Sequence, residues 1–198
     1  MADLIFRYGA MNCGKTAQLL QVAHNYEEKG LKTLIIKPSI DTKGEDEIVS
    51  RLGISRRVNI LLKPDEEITH KLSFDFNISC ILIDEAQFLS KFQVYELWNI
   101  AHQYNIPVIC YGLKINFKAE LFEGSKTIIE IADKLEQLPT ICRCGRPATF
   151  NARYIDNKFT TKGEEVAIDG IDASYESLCP DCYMKERKKE KTFILKKY

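Results

Sequence analysis

The octapeptide Gly9-Ala10-Met11-Asn12-Cys13-Gly14-Lys15-Thr16 reads G-x-x-x-x-G-K-T, a set of residues suited to holding a phosphate chain. Backbone N–H groups of such a loop point at phosphate oxygens, the lysine neutralises the terminal phosphates, and the threonine hydroxyl ligates magnesium. A second chemical segment is Ile81-Leu82-Ile83-Asp84-Glu85-Ala86-Gln87-Phe88, where an apolar run delivers two acids. Asp84 suits magnesium, directly or through water, and Glu85 suits a general base for an attacking nucleophile. Two acids in that position could instead cap the next helix, but a complete phosphate loop favours the chemical roles. The third group is Cys142-x-Cys144 and Cys179-x-x-Cys182, with 34 residues between Cys144 and Cys179. Four thiolates in two tight pairs suit tetrahedral zinc, with Gly145 and Pro180 fitting the turns; two disulfides or unrelated thiols are the alternatives. Four cysteine ligands leave no open position, so this metal would staple the chain rather than catalyse.

These groups need elements to carry them. Leu4-Ile5-Phe6-Arg7-Tyr8 suits a buried strand leading into the phosphate loop, and the stretch from Ala17 suits a helix ending near Gly30. Thr33-Leu34-Ile35-Ile36, Cys80-Ile81-Leu82-Ile83 and Val108-Ile109-Cys110-Tyr111 are short, continuously apolar runs, as in strands buried on both faces. Lys91 to Tyr104 is a candidate helix with Val94, Leu97, Trp98 and Ala101 on one face. The pattern predicts an α/β fold: a P-loop NTPase parallel sheet flanked by helices over residues 1–138. A small C-terminal zinc-ribbon domain follows over 139–184, and a charged tail over 185–198, where mixed charge favours a solvated helix or frayed end over a basic arm.

With 198 residues and 45% apolar content, the chain can bury a real core. The 28 basic and 28 acidic residues cancel, so no global field marks a nucleic-acid binder. No apolar run is long enough for a membrane span. Met1-Ala2-Asp3 leads straight into the first strand, so no signal peptide is expected, and seven cysteines, one inside the phosphate loop, suit a reducing cytoplasm. Both helicase-type ATPases and small-molecule kinases place D-E-A-Q after a strand. A helicase motor needs two such domains, and this chain is too short for two.

Four segments together resemble the thymidine kinase family found in bacteria and animal cytosol, from about Leu4 to Tyr183. They are Tyr8–Thr16, Ile83–Phe88, Tyr111-Gly112-Leu113-Lys114-Ile115-Asn116-Phe117 with Leu121-Phe122-Glu123-Gly124-Ser125, and the cysteine ribbon enclosing Gly170-Ile171-Asp172-Ala173-Ser174-Tyr175. The resemblance implies ATP on the 9–16 loop, magnesium at Thr16 and Asp84, and Glu85 as base toward the 5′-hydroxyl of thymidine. Arg51, in Ser50-Arg51-Leu52-Gly53, resembles an arginine that approaches the phosphates. Phe88, Gln87, Leu113, Phe117 and Phe122 would surround the thymine. A lasso of about Glu165 to Tyr175, including Ile168, Asp169, Gly170 and Ile171, would read and cover it. The family also implies a homotetramer, feedback inhibition by dTTP and acceptance of deoxyuridine. Two departures bear on substrate preference: Gly170-Ile171 replaces a pair of small residues beside an unmatched Asp169, and Asn116 replaces aspartate. A nucleic-acid-stimulated ATPase gripping through ribbon and tail, and a non-catalytic nucleotide sensor, are the rival expectations.

Overall fold

The computed structural model describes residues 1–40, 46–51, 53–72, 77–165 and 173–195, with side chains as far as 190. The lasso expectations at Ile168, Asp169, Gly170 and Ile171 therefore lie outside the described residues. The chain forms two units: Met1–Tyr8, Gly14–Lys114 and Phe122–Leu138 in the first, and Gly9–Cys13, Ile115–Leu121 and Pro139–Tyr198 in the second.

In the first unit the elements run β1 (Leu4–Tyr8), α1 (Lys15–Glu27), β2 (Lys32–Pro38), β3 (Glu47–Val49), β4 (Ser55–Arg57) and β5 (Ile60–Leu62). They continue with α2 (Ile68–Lys71), β6 (Ile78–Ile83), a 3-10 turn (Ala86–Phe88), α3 (Lys91–Gln103), β7 (Val108–Gly112), α4 (Glu123–Ile131) and β8 (Lys134–Gln137). Six strands make one sheet in the order β5-β2-β6-β7-β1-β8, and every neighbouring pair is parallel. The carboxyl ends of β1 and β6 therefore emerge at one edge, where open α/β sheets collect ligands. Cys110 of β7 pairs with Phe6 on one side and Ile83 on the other, so β6 ends level with Phe6 while β1 continues to Tyr8.

The apolar runs are continuous because helices cover both faces of the sheet. Leu4, Phe6, Ile36, Ile81, Ile83, Val108 and Cys110 belong to one buried cluster. Helix α3 begins with a capping box: Ser90 accepts from the Gln93 N–H, and the Gln93 side chain accepts from the Ser90 N–H. Its inward face is Val94, Leu97, Ile100 and Ala101. Trp98, expected on that face, is 36% exposed and lies against the His102 ring at 4.7 Å. Ile100 takes the inward position, leaving the larger indole at the margin of the apolar stripe.

The second unit contains β9 (Phe150–Ile155), β10 (Lys158–Thr160), β11 (Ala173–Leu178) and α5 (Pro180–Leu195). The strands form an antiparallel sheet in the order β10-β9-β11. Asp156 and Asn157 turn β9 into β10 with φ of 49° and 59°, the left-handed pair that a tight hairpin requires. Tyr183 of α5 stacks on Phe150 at 4.7 Å and meets Phe159 edge-on at 5.5 Å. The charged run from Lys185 is thus part of a helix, and its acids face the ribbon: Glu186 pairs with Arg143, and Glu190 accepts two bonds from Thr161.

Candidate active site and metal centre

Gly14 stands immediately before α1 with φ 80°, a left-handed conformation that glycine adopts without steric strain. The helix then presents Lys15, which is buried, and Thr16 at its N-terminus. The Thr16 hydroxyl donates to Asp84 Oδ2 at 3.2 Å, so the ends of the β1 and β6 segments meet through these two groups. Asp84 is 3% exposed, and its N–H is bonded to the Ile36 carbonyl at 3.0 Å. Burial pushes its carboxyl well above the ordinary range, and the neighbouring Glu85 charge pushes the same way. The Glu85 N–H, the Thr16 hydroxyl and Lys15 oppose that shift. The Asp84 carboxylate and the Thr16 hydroxyl together offer oxygen ligands that suit a hard divalent cation.

Glu85 lies at φ 50° and ψ 40°, in the left-handed region. Its carboxylate accepts from Gln87 Nε2 at 2.5 Å, and Gln87 Oε1 accepts from the Leu113 N–H at 2.9 Å. Gln87 is buried and commits both ends of its amide to holding this turn. Helix α4 packs close by: a β-carbon on Gly124 would come within 2.7 Å of the Ala86 and Leu89 carbonyl oxygens. Ser125 adds a bond to the Leu113 carbonyl at 2.5 Å. Phe88 and Phe122 meet edge-on with centroids 5.7 Å apart, and Leu113 and Phe122 are buried. Arg51 is exposed on the turn between β3 and β4, where the Gly53 N–H reaches the Ser50 carbonyl.

In the second unit, Met11 of the phosphate loop is bonded on both sides of its backbone. Its N–H donates to Asn151 Oδ1 at 2.8 Å, and its carbonyl accepts from the Ser177 hydroxyl at 2.5 Å. Asn116 accepts from the Lys118 and Glu120 N–H groups and donates its amide to Glu165 at 2.7 Å, a bond aspartate in its usual ionised state lacks the donor to make. The Arg153 guanidinium lies 3.7 Å from the centre of the Phe117 ring and donates to the Lys162 and Glu164 carbonyls, just before the segment expected to form the lasso. Tyr175 is half-buried on β11, opposite Arg153 in the ladder.

The sulfurs of Cys142, Cys144, Cys179 and Cys182 all lie within 4.8 Å of one another, with Cys144 and Cys179 at 3.6 Å. Sulfurs about 2.3 Å from a tetrahedral zinc stand about 3.8 Å apart, so the spacing fits such a site. All four are free thiols, which removes the disulfide alternative. Hydrogen bonds from Arg146 bring the Cys144 thiol down to about 6, whereas its sulfur neighbours hold Cys182 up at about 12. A bound divalent metal would let all four act as thiolates.

Sequence reasoning missed Asn151, Ser177 and Arg153. Asn151 and Arg153 alternate with Ala152 along a strand, a pattern usually read as a solvent face, yet both polar residues are buried. Only their backbone and ring partners reveal why.

A parallel α/β sheet with a glycine-lysine-threonine loop after one strand and an acidic pair after another defines a P-loop nucleotide-binding protein. The description "Thymidine kinase" belongs to the family model that matches residues 2–183. Thymidine kinase of Enterobacteria phage T4 is 44% identical over 183 residues, 90% of this chain and 94% of that one. Thymidine kinases of Mannheimia succiniciproducens and Pasteurella multocida are each 45% identical over 184 residues, 90% of this chain and 93% and 95% of theirs. The chain belongs to the thymidine kinase family. Among solved structures, Bacteroides Pif1 bound to ssDNA aligns over 69% of this chain and 38% of its own, at 9% identity and a TM-score of 0.37, too distant a likeness to carry an argument. No helix among the described residues is long and apolar enough to cross a membrane.

Proposed function

We propose that this protein transfers the γ-phosphate of ATP to the 5′-hydroxyl of thymidine, making dTMP for salvage in the cytoplasm. The observation that carries the reading is Glu85, held by Gln87 immediately after the Asp84–Thr16 pair, in a chain of this family. Residues Gly9 to Thr16 cradle the phosphates, and Lys15 offsets their charge. Thr16 and Asp84 would hold magnesium, which when bound supplies neutralisation of the phosphate oxygens. Glu85 takes the proton of the 5′-hydroxyl as its oxygen attacks the γ-phosphorus, and ADP leaves. Arg51 would add charge at the transferring group. Phe88, Leu113, Phe117 and Phe122 would flank the base, with Gln87 setting the turn that carries Glu85. By the family resemblance, Ile168, Asp169, Gly170, Ile171 and Tyr175 would cover the nucleoside.

The cysteine cluster would hold one structural zinc, and dTTP would act as feedback inhibitor on a homotetramer, both implied by the family. Deoxyuridine is a second substrate because it keeps the hydrogen-bonding edge of thymine and lacks only a methyl, a difference of about 1–3 kcal/mol. The test is phosphate transfer from Mg-ATP to thymidine, deoxyuridine, deoxycytidine and deoxyguanosine, with single-stranded DNA in parallel. Phosphorylation of thymidine and deoxyuridine alone is expected. ATP hydrolysis that rises with DNA, with no nucleoside product, would replace this reading with an ATPase.

A further inference from the structure

We infer that Asn151 and Ser177 are positioning residues for the phosphate loop, gripping the backbone of Met11 as a cross-strand pair. The two residues stand directly opposite each other in the β9–β11 ladder. Asn151 is 2% exposed and Ser177 6%. Asn151 Oδ1 accepts the Met11 N–H, Ser177 donates to the Met11 carbonyl, and Asn151 Nδ2 donates to the Ile115 carbonyl at 3.1 Å. Three polar side-chain functions are thus spent on main-chain groups, two of them on one residue of the loop.

The chemistry of a phosphate loop gives this grip a purpose. Phosphate is bound by backbone N–H groups, so affinity depends on where successive peptides point. The Met11 N–H is taken by Asn151 and is withdrawn from the set that can face a phosphate. The next residue, Asn12, has φ 65°, a left-handed conformation that asparagine adopts more readily than other residues with a β-carbon but that still benefits from support by its surroundings. Anchoring both polar groups of the preceding residue is a means of giving that support. The strands that supply the anchors are tied at the cysteine end, where the Thr149 N–H meets the Leu178 carbonyl and Cys179 follows.

The inference rests on the ATP-dependent reading, and ADP binding separates the two. Ser177→Ala, Ser177→Thr and Asn151→Ala would be titrated with Mg-ADP, and KM measured for ATP and for thymidine. Each alanine variant is expected to bind Mg-ADP about tenfold more weakly and to raise KM for ATP about as much, with KM for thymidine within about twofold. Ser177→Thr, which keeps the hydroxyl, restores binding. Wild-type Mg-ADP affinity in both alanine variants overturns the inference, as does a loss shared equally by both substrates. Weakened Mg-ADP binding in the variants of a wild-type protein that phosphorylates no nucleoside would sustain the grip and overturn the kinase reading. Hydrogen exchange on the unsubstituted protein is a second check, independent of how the variants fold. A protected Met11 amide is expected, and exchange at the unprotected rate overturns the inference.

Discussion

Glu85 occupies a left-handed backbone conformation that costs a residue with a β-carbon about 1–3 kcal/mol. Gln87 compensates by binding both the carboxylate of Glu85 and the backbone of Leu113. Glu85→Gln is expected to keep nucleotide binding and lose at least about a hundredfold in turnover, checked by comparing kcat with Mg-ADP affinity. Normal turnover would remove Glu85 from the base role. Asp84 gives a pH dependence with a definite sign. Its carboxyl is raised by burial, so the metal-free folded protein binds that proton more tightly than the unfolded chain does. That stabilisation is present at low pH and lost as pH rises through the raised value. Magnesium needs the carboxylate, so its affinity should weaken on acidification through the same range, by up to about tenfold per pH unit. Titrating magnesium at several pH values in the presence of ADP checks this, and a flat profile would separate Asp84 from the metal.

Helix α4 sets the local scale of tolerance around the acidic turn. Gly124 meets three carbonyl oxygens of residues 86, 87 and 89 at 2.7–2.8 Å from where a β-carbon would stand. Backbone cannot yield as a flexible side chain does. Gly124→Ala should therefore destabilise by about 1–3 kcal/mol and shift the turn that carries Gln87. Denaturant unfolding measures the first effect and kcat the second; an unchanged midpoint would mean that α4 moves freely. Helix α3 illustrates what a helical period leaves open. Residues 94, 97 and 101 were legible as buried because their spacing admits one face, but Trp98 and Ile100 compete for its margin. Packing volume decides such cases, and composition carries no record of it.

At the scale of the molecule, the second unit has a small core of its own, in which Cys142, Cys179 and Cys182 pack with Ala148, Ala152, Leu178 and Tyr183. A unit of that size leans on covalent or metal cross-links. One zinc per chain is expected from metal analysis. Chelation should lower the unfolding midpoint and expose four additional fast-reacting thiols per chain. Metal-free protein with an unchanged midpoint and the same thiol reactivity would show that the cluster is ordinary packing.

The sequence by itself determined the buried apolar strands, the phosphate loop, the acidic pair and the cysteine set. Each is a local pattern in which residue type and short spacing carry the chemistry. Gly14-Lys15-Thr16 announces a phosphate loop and Cys179-x-x-Cys182 a metal-binding pair without any distant partner. Tertiary structure alone decided where Glu85 points, why Asn116 serves here in place of aspartate, and what Asn151 and Ser177 are for. Their partners lie far off along the chain: Gln87 meets Leu113 across 26 residues, and Asn151 and Ser177 meet Met11 across 140 and 166. A hydrogen bond leaves no spacing signature when its two ends are brought together only by folding, and those bonds hold the groups that the local motifs merely announce.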